Sequence, residues 1–370
     1  MMPIPSVDPI PLPAPIWLFK LLHLVTFALH LVAVDLLIAG LAVGVTLHVI
    51  SRWSHSATLR QVSGLLAHRL PTVMAYVINL GIPPLLFAQV LYGRALYTSS
   101  VLMGAYWISV IFLLMASYYG LYVVAKRADQ RKGWTSTGLA SLLLVLTIAF
   151  IYSNNMTLML RPQVWSAMYH ANPSGVQLNH SDPTLIARWL FFVSGAFPVT
   201  GAALLLLALK SDLDDDTRAF LRRFGGVLIA ALLIAQTVFG EQALALQPSG
   251  VMSQVGADAL YRPFTYGWAA TAALLGALGL VALVTRRMAG VLAIGAALLA
   301  FLNVVCEVLV RDGIRDYTLR DHGFEVWNRS VVTNWSVVGI FLFLFVAALG
   351  FLGYLVTVMK AAKPMEEKYV

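Results

Sequence analysis

Charge is scarce in this sequence: only 11% of its 370 residues are Asp, Glu, Lys or Arg, while 59% are hydrophobic and the mean hydropathy is +0.80. That balance excludes a large soluble domain and points to a polytopic membrane protein. Cysteine is rarer still. The one cysteine, Cys306, lies within an apolar run, which excludes a disulfide framework, a cysteine-rich zinc or iron–sulfur site and a CxxCH attachment for covalent haem c. Any c-type haem must therefore belong to a partner. There is no nucleotide-binding glycine loop, no hydrolase triad and no strong internal repeat. The formal charge of +8 does not indicate nucleic acid, because the basic residues fall in short loops between apolar segments.

Nine such segments are present, at roughly 17–50, 71–92, 101–125, 139–160, 184–209, 220–241, 264–285, 288–310 and 332–359. Each is long enough to cross a bilayer. The expected fold is all-α, a single transmembrane domain over 1–370 with about nine helices. The first segment is over-long and implies tilt or an interfacial first turn. Before it, 1–16 is proline-rich and lacks a basic leader, so an extended outer arm is expected there.

Alternate loops carry 16 of the 25 Lys and Arg, including Arg52, Arg60 and Arg69, Lys126 to Lys132, Lys210 to Arg223, Arg286 and Arg287, and Lys360, Lys363 and Lys368. The positive-inside rule then puts the N-terminus outside and the C-terminus in the cytoplasm, in what resembles a bacterial inner membrane protein. In KSDLDDDTRAFLRR, an acidic start followed by basic residues reads as ordinary capping of the next helix. Ala269 to Leu283 reads as a close-packing face of small residues.

With that orientation, polar residues at or near membrane depth gather toward the outer side. They are His23 and His30, Gln89 and Arg94, Asn154, Asn155 and Arg161, Arg188, Glu241, and Glu307 with Arg311. Helix ends are polar anyway, but convergence from six segments suggests a site, since intramembrane polar groups need partners in the bundle. Glu307, Arg311 and Arg315 are four apart and project from one helix face. Glu307 is either a functional intramembrane acid or an interfacial residue that locks two helices through Arg311. His23 and His30, seven apart, suit a haem edge or a quinone pocket, or serve only as hydrogen-bonded packing residues. Gly81, Pro83 and Pro84 should kink the second helix. Two outer loops are expected: 152–182, as a lid or docking surface, and the arginine-rich 311–331.

The order of helices, with LHLVTFALHLVAVDLLIAGLAVG in the first, INLGIPPLLFAQVLYGRALYTSSVLMGAYWISVIFLLMASYYGLY in the second and third, and ARWLFFVSGAFPVTGAALLLL in the fifth, resembles subunit I of the cytochrome bd quinol oxidases. That resemblance implies His23 as ligand of one high-spin haem and Glu307 as ligand of the other. Arg188, Arg311 and Arg315, with His30, Gln89 and Glu241, become candidates for haem propionates or a quinone carbonyl. The departures matter too. The low-spin haem histidine falls at about Phe191, YGWAATAAL has no methionine, the acid on the second helix is replaced by Gln89, and the quinol-binding insert shrinks to 242–263. Proton-coupled oxygen reduction has thus lost its wiring. The function expected is a membrane subunit of a respiratory electron-transfer complex, with b-type haem or quinone, coupling the quinone pool to an extracytoplasmic c-type cytochrome. The alternatives are a haem-free structural anchor of a redox complex and a divergent bd-type oxygen reductase subunit.

Overall fold

The computed structural model describes residues 11–285 and 288–361. Residues 1–10 of the expected arm, Arg286 and Arg287, and Lys363 and Lys368 lie outside them. The architecture is all-helical: α1 (Ile16–Ser54), α2 (Ala57–Leu102), α3 (Gly104–Asp129), α4 (Thr135–Leu158), α5 (Pro162–Ala171), α6 (Thr184–Leu207), α7 (Asp215–Ala245), α8 (Ser249–Ala257), α9 (Arg262–Val284), α10 (Ala289–Asp321) and α11 (Trp335–Ala361). Among the described residues, eight helices are long and apolar enough to cross a membrane, where nine were expected. The ninth segment does form α11, but its apolar stretch among those residues runs only from Trp335 to Phe351. This is a multi-pass membrane protein. Phe112 and Met115 on α3, Ile234 and Val238 on α7 and Leu298 on α10 are exposed on the bundle and face lipid.

Two helices overrun a bilayer. α1 has 39 residues and α2 has 46, about 58 and 69 Å at 1.5 Å per residue. They lie along each other, joined by a turn in which Ser56 caps α2 by accepting from the Leu59 amide. α2 holds Pro71, Pro83 and Pro84 within its length, yet its backbone leaves helical geometry at Tyr92 (φ −121°, ψ 17°), not at the prolines where the sequence suggests a kink.

α6, α7 and α9 are drawn together by glycine. A Cβ at Gly201 would lie 2.7 Å from the Gly225 carbonyl oxygen, and one at Gly226 would lie 2.7 Å from that of Gly279, so only bare backbone permits these approaches. The small-residue face expected over 269–283 is therefore used. Asp214 caps α7, as expected, by accepting from the Thr217 amide at 2.8 Å, with Asp215 and Asp216 in the first turn.

The connections differ more from expectation. α10 continues to Asp321, so 311–321 is helix and the connecting loop begins only at His322. The 152–182 loop contains the end of α4 and the short α5, and then packs on the α2–α3 junction. Gly175, at φ +75°, passes its carbonyl to the Ala105 amide at 2.9 Å, and the Gln177 amide donates to Leu102 at 3.0 Å. Asn179 is buried between Asn154 and Thr157, and Arg161 donates to its side chain at 2.6 Å. The end of the arm is ordered: Leu12 pairs with Ser330 and Val332, and Pro13 accepts from Asn334, each at 2.9 Å.

Candidate functional site

α1 and α10 supply the core of the site by simple helical spacing. Lys20, His23, Phe27 and His30 recur at steps of three and four and share one face of α1. On α10, Glu307, Arg311 and Arg315 form one ridge, and Asp312 and Asp316 form the next, turned by about 100°. The first turns of α1 lie against the last turns of α10, so the two sets meet.

Between them and α2, α4, α6, α7 and α9 is a cavity of about 420 Å³ with mostly apolar walls. His23, His30, Arg188, Glu307, Arg311 and Arg315 all line it. Six of the eight residues singled out from sequence are thus brought together. Two are not. Gln89 lies on another face of α2, in a separate pocket against Tyr97 and Trp107 of the α2–α3 side. Glu241 is exposed; its neighbour Gly240 faces the cavity, and one residue of helix turns the glutamate away. Of the expected lid at 152–182, Tyr152, Ser153, Met156, Thr157 and Met159 line the cavity, while 160–182 does not and packs on the α2–α3 junction.

His23 is fully engaged. Its Nδ1 is 3.0 Å from the Pro84 carbonyl oxygen and its Nε2 is 2.9 Å from Arg315 Nη1, with the ring stacked on Phe27. A carbonyl only accepts and a guanidinium only donates, so the proton sits on Nδ1 and Nε2 accepts. Neither nitrogen is free for iron. His30, by contrast, lies against Gly81, where a Cβ would come within 2.8 Å of the ring, and its buried Nδ1 has no partner among the described residues. The buried Thr265 Oγ1 and Trp268 Nε1, also on the cavity wall, are likewise unpartnered.

Two arginines that line the cavity with Glu307 are held differently. Arg188 donates to Gln247 at 2.8 Å. Arg311 lies 5.0 Å over the Phe27 ring and makes no hydrogen bond among the described residues.

Sequence reasoning missed the densest polar cluster of the molecule, which adjoins the cavity where α10 ends. Lys20 is buried and donates to Asp312 at 2.8 Å, to Asp316 at 2.6 Å and to the Tyr92 hydroxyl at 2.7 Å. Tyr92 donates to Asp312 at 2.7 Å, and Tyr261, at the start of α9, reaches both aspartates at 3.1 and 3.2 Å. Trp327 Nε1 donates to Asp316 at 3.1 Å, and Arg315 lies 3.9 Å from Asp312. With two cations and two carboxylates the cluster is neutral in itself, and every group has a hydrogen-bond partner. Burial, then the charges of Asp312 and Asp316, push the Tyr261 phenol well above its ordinary value, so it remains a donor. At the rim, burial opposes ionisation of Asp258, but hydrogen bonds from the Tyr317 hydroxyl and the Leu260 amide outweigh it and hold the carboxyl below its usual range. The sequence signal was present: a lysine inside IWLFKLLHL and the repeated Arg-Asp of RDGIRD.

Among the described residues no group of three or more His, Cys, Asp or Glu side chains is placed to hold a metal ion. No protein-family model matches the chain, and no curated protein matches it.

Proposed function

We propose that this chain is a membrane subunit of a respiratory electron-transfer complex in a bacterial inner membrane, and that its cavity takes a quinone or quinol whose electrons pass to an extracytoplasmic c-type cytochrome. The observation that carries this reading is a set of buried hydrogen-bonding atoms without partners among the described residues on an apolar cavity wall, Trp268 Nε1, Thr265 Oγ1 and His30 Nδ1, with Arg311 lining the same cavity. A quinone head is an acceptor-only group on an apolar body, and it would satisfy donors of this kind. Glu307, on the same wall, supplies the acceptor that the hydroxyl of a quinol needs.

A second reading is favoured by the presence of Glu307, Arg188 and Arg311 in the lining of one cavity. This donor set fits a b-type haem, with Glu307 as the iron ligand and the arginines against its propionates. Such a group would supply one-electron chemistry at the site. His23 does not belong to that set, because both ring nitrogens are taken. In either reading the residues bury, orient and electrostatically stabilise the redox group. The orientation proposed is that of the loop charges, with the start of α1 and the end of α10 on the outer side.

The test is quantification of extracted quinone, and of haem as its pyridine haemochrome, from purified wild-type protein and from Arg311→Leu and Glu307→Gln. Quinone present in the wild type and lost from Arg311→Leu supports the first reading. Haem lost from Glu307→Gln supports the second. Correctly folded wild type carrying neither leaves a structural anchor of a redox complex.

A further inference from the structure

We propose that the buried cluster at the end of α10 is an exit through which protons leave the cavity for the outer aqueous face; this rests on the quinol reading given above. From Tyr92 outward the route is continuous. Tyr92 lines the cavity and donates to Asp312 at 2.7 Å. The Tyr261 hydroxyl lies within 3.2 Å of both Asp312 and Asp316. Asp316 in turn is held by Trp327, whose side chain is half-exposed at the end of the bundle. From Glu307 to Asp316 is nine residues of α10, or about 13 Å along the axis.

The composition of the cluster is what a mere clamp does not need. One carboxylate would pair Lys20, and here two share it, at 2.8 and 2.6 Å. Asp312 can accept a proton while Asp316 keeps the ammonium paired, so the negative charge has two places to reside and no unpaired ion is left behind. The groups facing the two carboxylates are Lys20 and His23 from α1, Tyr92 from α2, Tyr261 from the start of α9, Arg315 on α10 and Trp327 beyond it. Two of these, Tyr92 and Tyr261, are hydroxyls that can give one proton while receiving another.

Oxidation of one quinol to quinone releases two electrons, which go to the c-type cytochrome, and two protons. For each proton, the quinol O–H bond breaks as its proton passes, by way of Glu307 and water in the cavity, to the Tyr92 oxygen, and Tyr92 passes the proton it held to Asp312. Asp312 gives that proton to the Tyr261 oxygen as Tyr261 gives its own to Asp316. Asp316 then releases it to water beside Trp327, and both carboxylates are ionised again before the second proton follows.

The experiment uses the complex purified from membranes and reconstituted in liposomes with the end of α10 outward, a short-chain quinol as donor and an impermeant pH dye outside. The expected result is two protons released outside per quinol in the wild type. In Tyr92→Phe and Asp312→Asn the rate should fall by about a hundredfold, with the KM for quinol unchanged and a larger solvent isotope effect. Tyr92→Phe and Tyr261→Phe keep their rings in place and carry the test if Asp312→Asn does not assemble. Wild-type rates and isotope effects in these variants, or protons released on the opposite face, overturn the exit while leaving the quinol site intact. A wild-type complex that oxidises no quinol overturns the reading of the site and the exit with it.

Discussion

Lys20 has a side chain 4% exposed, and the carboxylates around it, Asp312 and Asp316, are 2% and 9% exposed. A pair so placed gives little net stability relative to apolar packing, but losing one partner leaves buried charge uncompensated. Lys20→Met should therefore destabilise the protein by about 3–5 kcal/mol, and adding Asp316→Asn should recover part of the loss; thermal unfolding in detergent measures both. Arg311 is the opposite case. Its guanidinium lines the cavity with no hydrogen bond among the described residues, so Arg311→Leu breaks none. We expect its melting temperature to equal or exceed that of the wild type while ligand retention falls, a separation that a merely structural arginine would not show. The arginine ladder was legible because its spacing of four is periodic. The aspartates beside it were not, since Arg-Asp neighbours in sequence suggest pairing with each other, whereas their partner Lys20 is 292 residues from Asp312.

Helices α6 and α7 meet at Gly201 and Gly225, where the carbonyl oxygen of each lies 2.7 Å from where a Cβ of the other would stand. Gly225→Val should force these backbones apart at a cost of about 1–3 kcal/mol or more, read as a lower melting temperature with a loosened α6–α7 pair by crosslinking. The start of α7 offers a pH test. The Thr217 amide and hydroxyl hold the Asp214 carboxyl below its usual range. A carboxylate depressed in the folded state stabilises above its unfolded pKa and loses that contribution as pH falls through the folded value. The difference in melting temperature between wild type and Asp214→Ala should thus be present at neutral pH and shrink in acid. Element existence and type were readable from apolar run length, and so was this cap. Boundaries were less so: Arg311 to Asp321 is polar enough to resemble a loop, but its polar groups are paired within the bundle, which lets the helix continue. Likewise, the break in α2 falls at Tyr92, whose hydroxyl is tied to Lys20 and Asp312, and the prolines are accommodated within the helix.

Over the whole molecule, the sequence placed its polar residues at one end of the bundle, and six of eight candidates do converge on one cavity. Gln89 and Glu241 failed for a rotational reason, because depth in the membrane can be estimated from position along a helix, while the face depends on neighbours. The proposed orientation has its own check. In a Cys306→Ser background, an impermeant maleimide added to intact cells should label Ser249→Cys, exposed on α8, and leave Lys132→Cys, exposed beyond α3, unlabelled. The reverse pattern would invert the proposal for the site.

The distance in sequence between Lys20 and its counter-charges also governs how the chain is made. At about 5–20 residues per second, roughly 15 to 60 s separate synthesis of Lys20 from that of Asp312, 292 residues later. For that interval the first helix carries an ammonium with neither carboxylate present, so it either holds Lys20 at the membrane surface or depends on the insertion machinery to shield it. A ribosome stalled before α10 should leave a nascent chain recognised as unfinished, and arrival of Asp312 and Asp316 becomes the event that seats the first helix as well as the eighth segment.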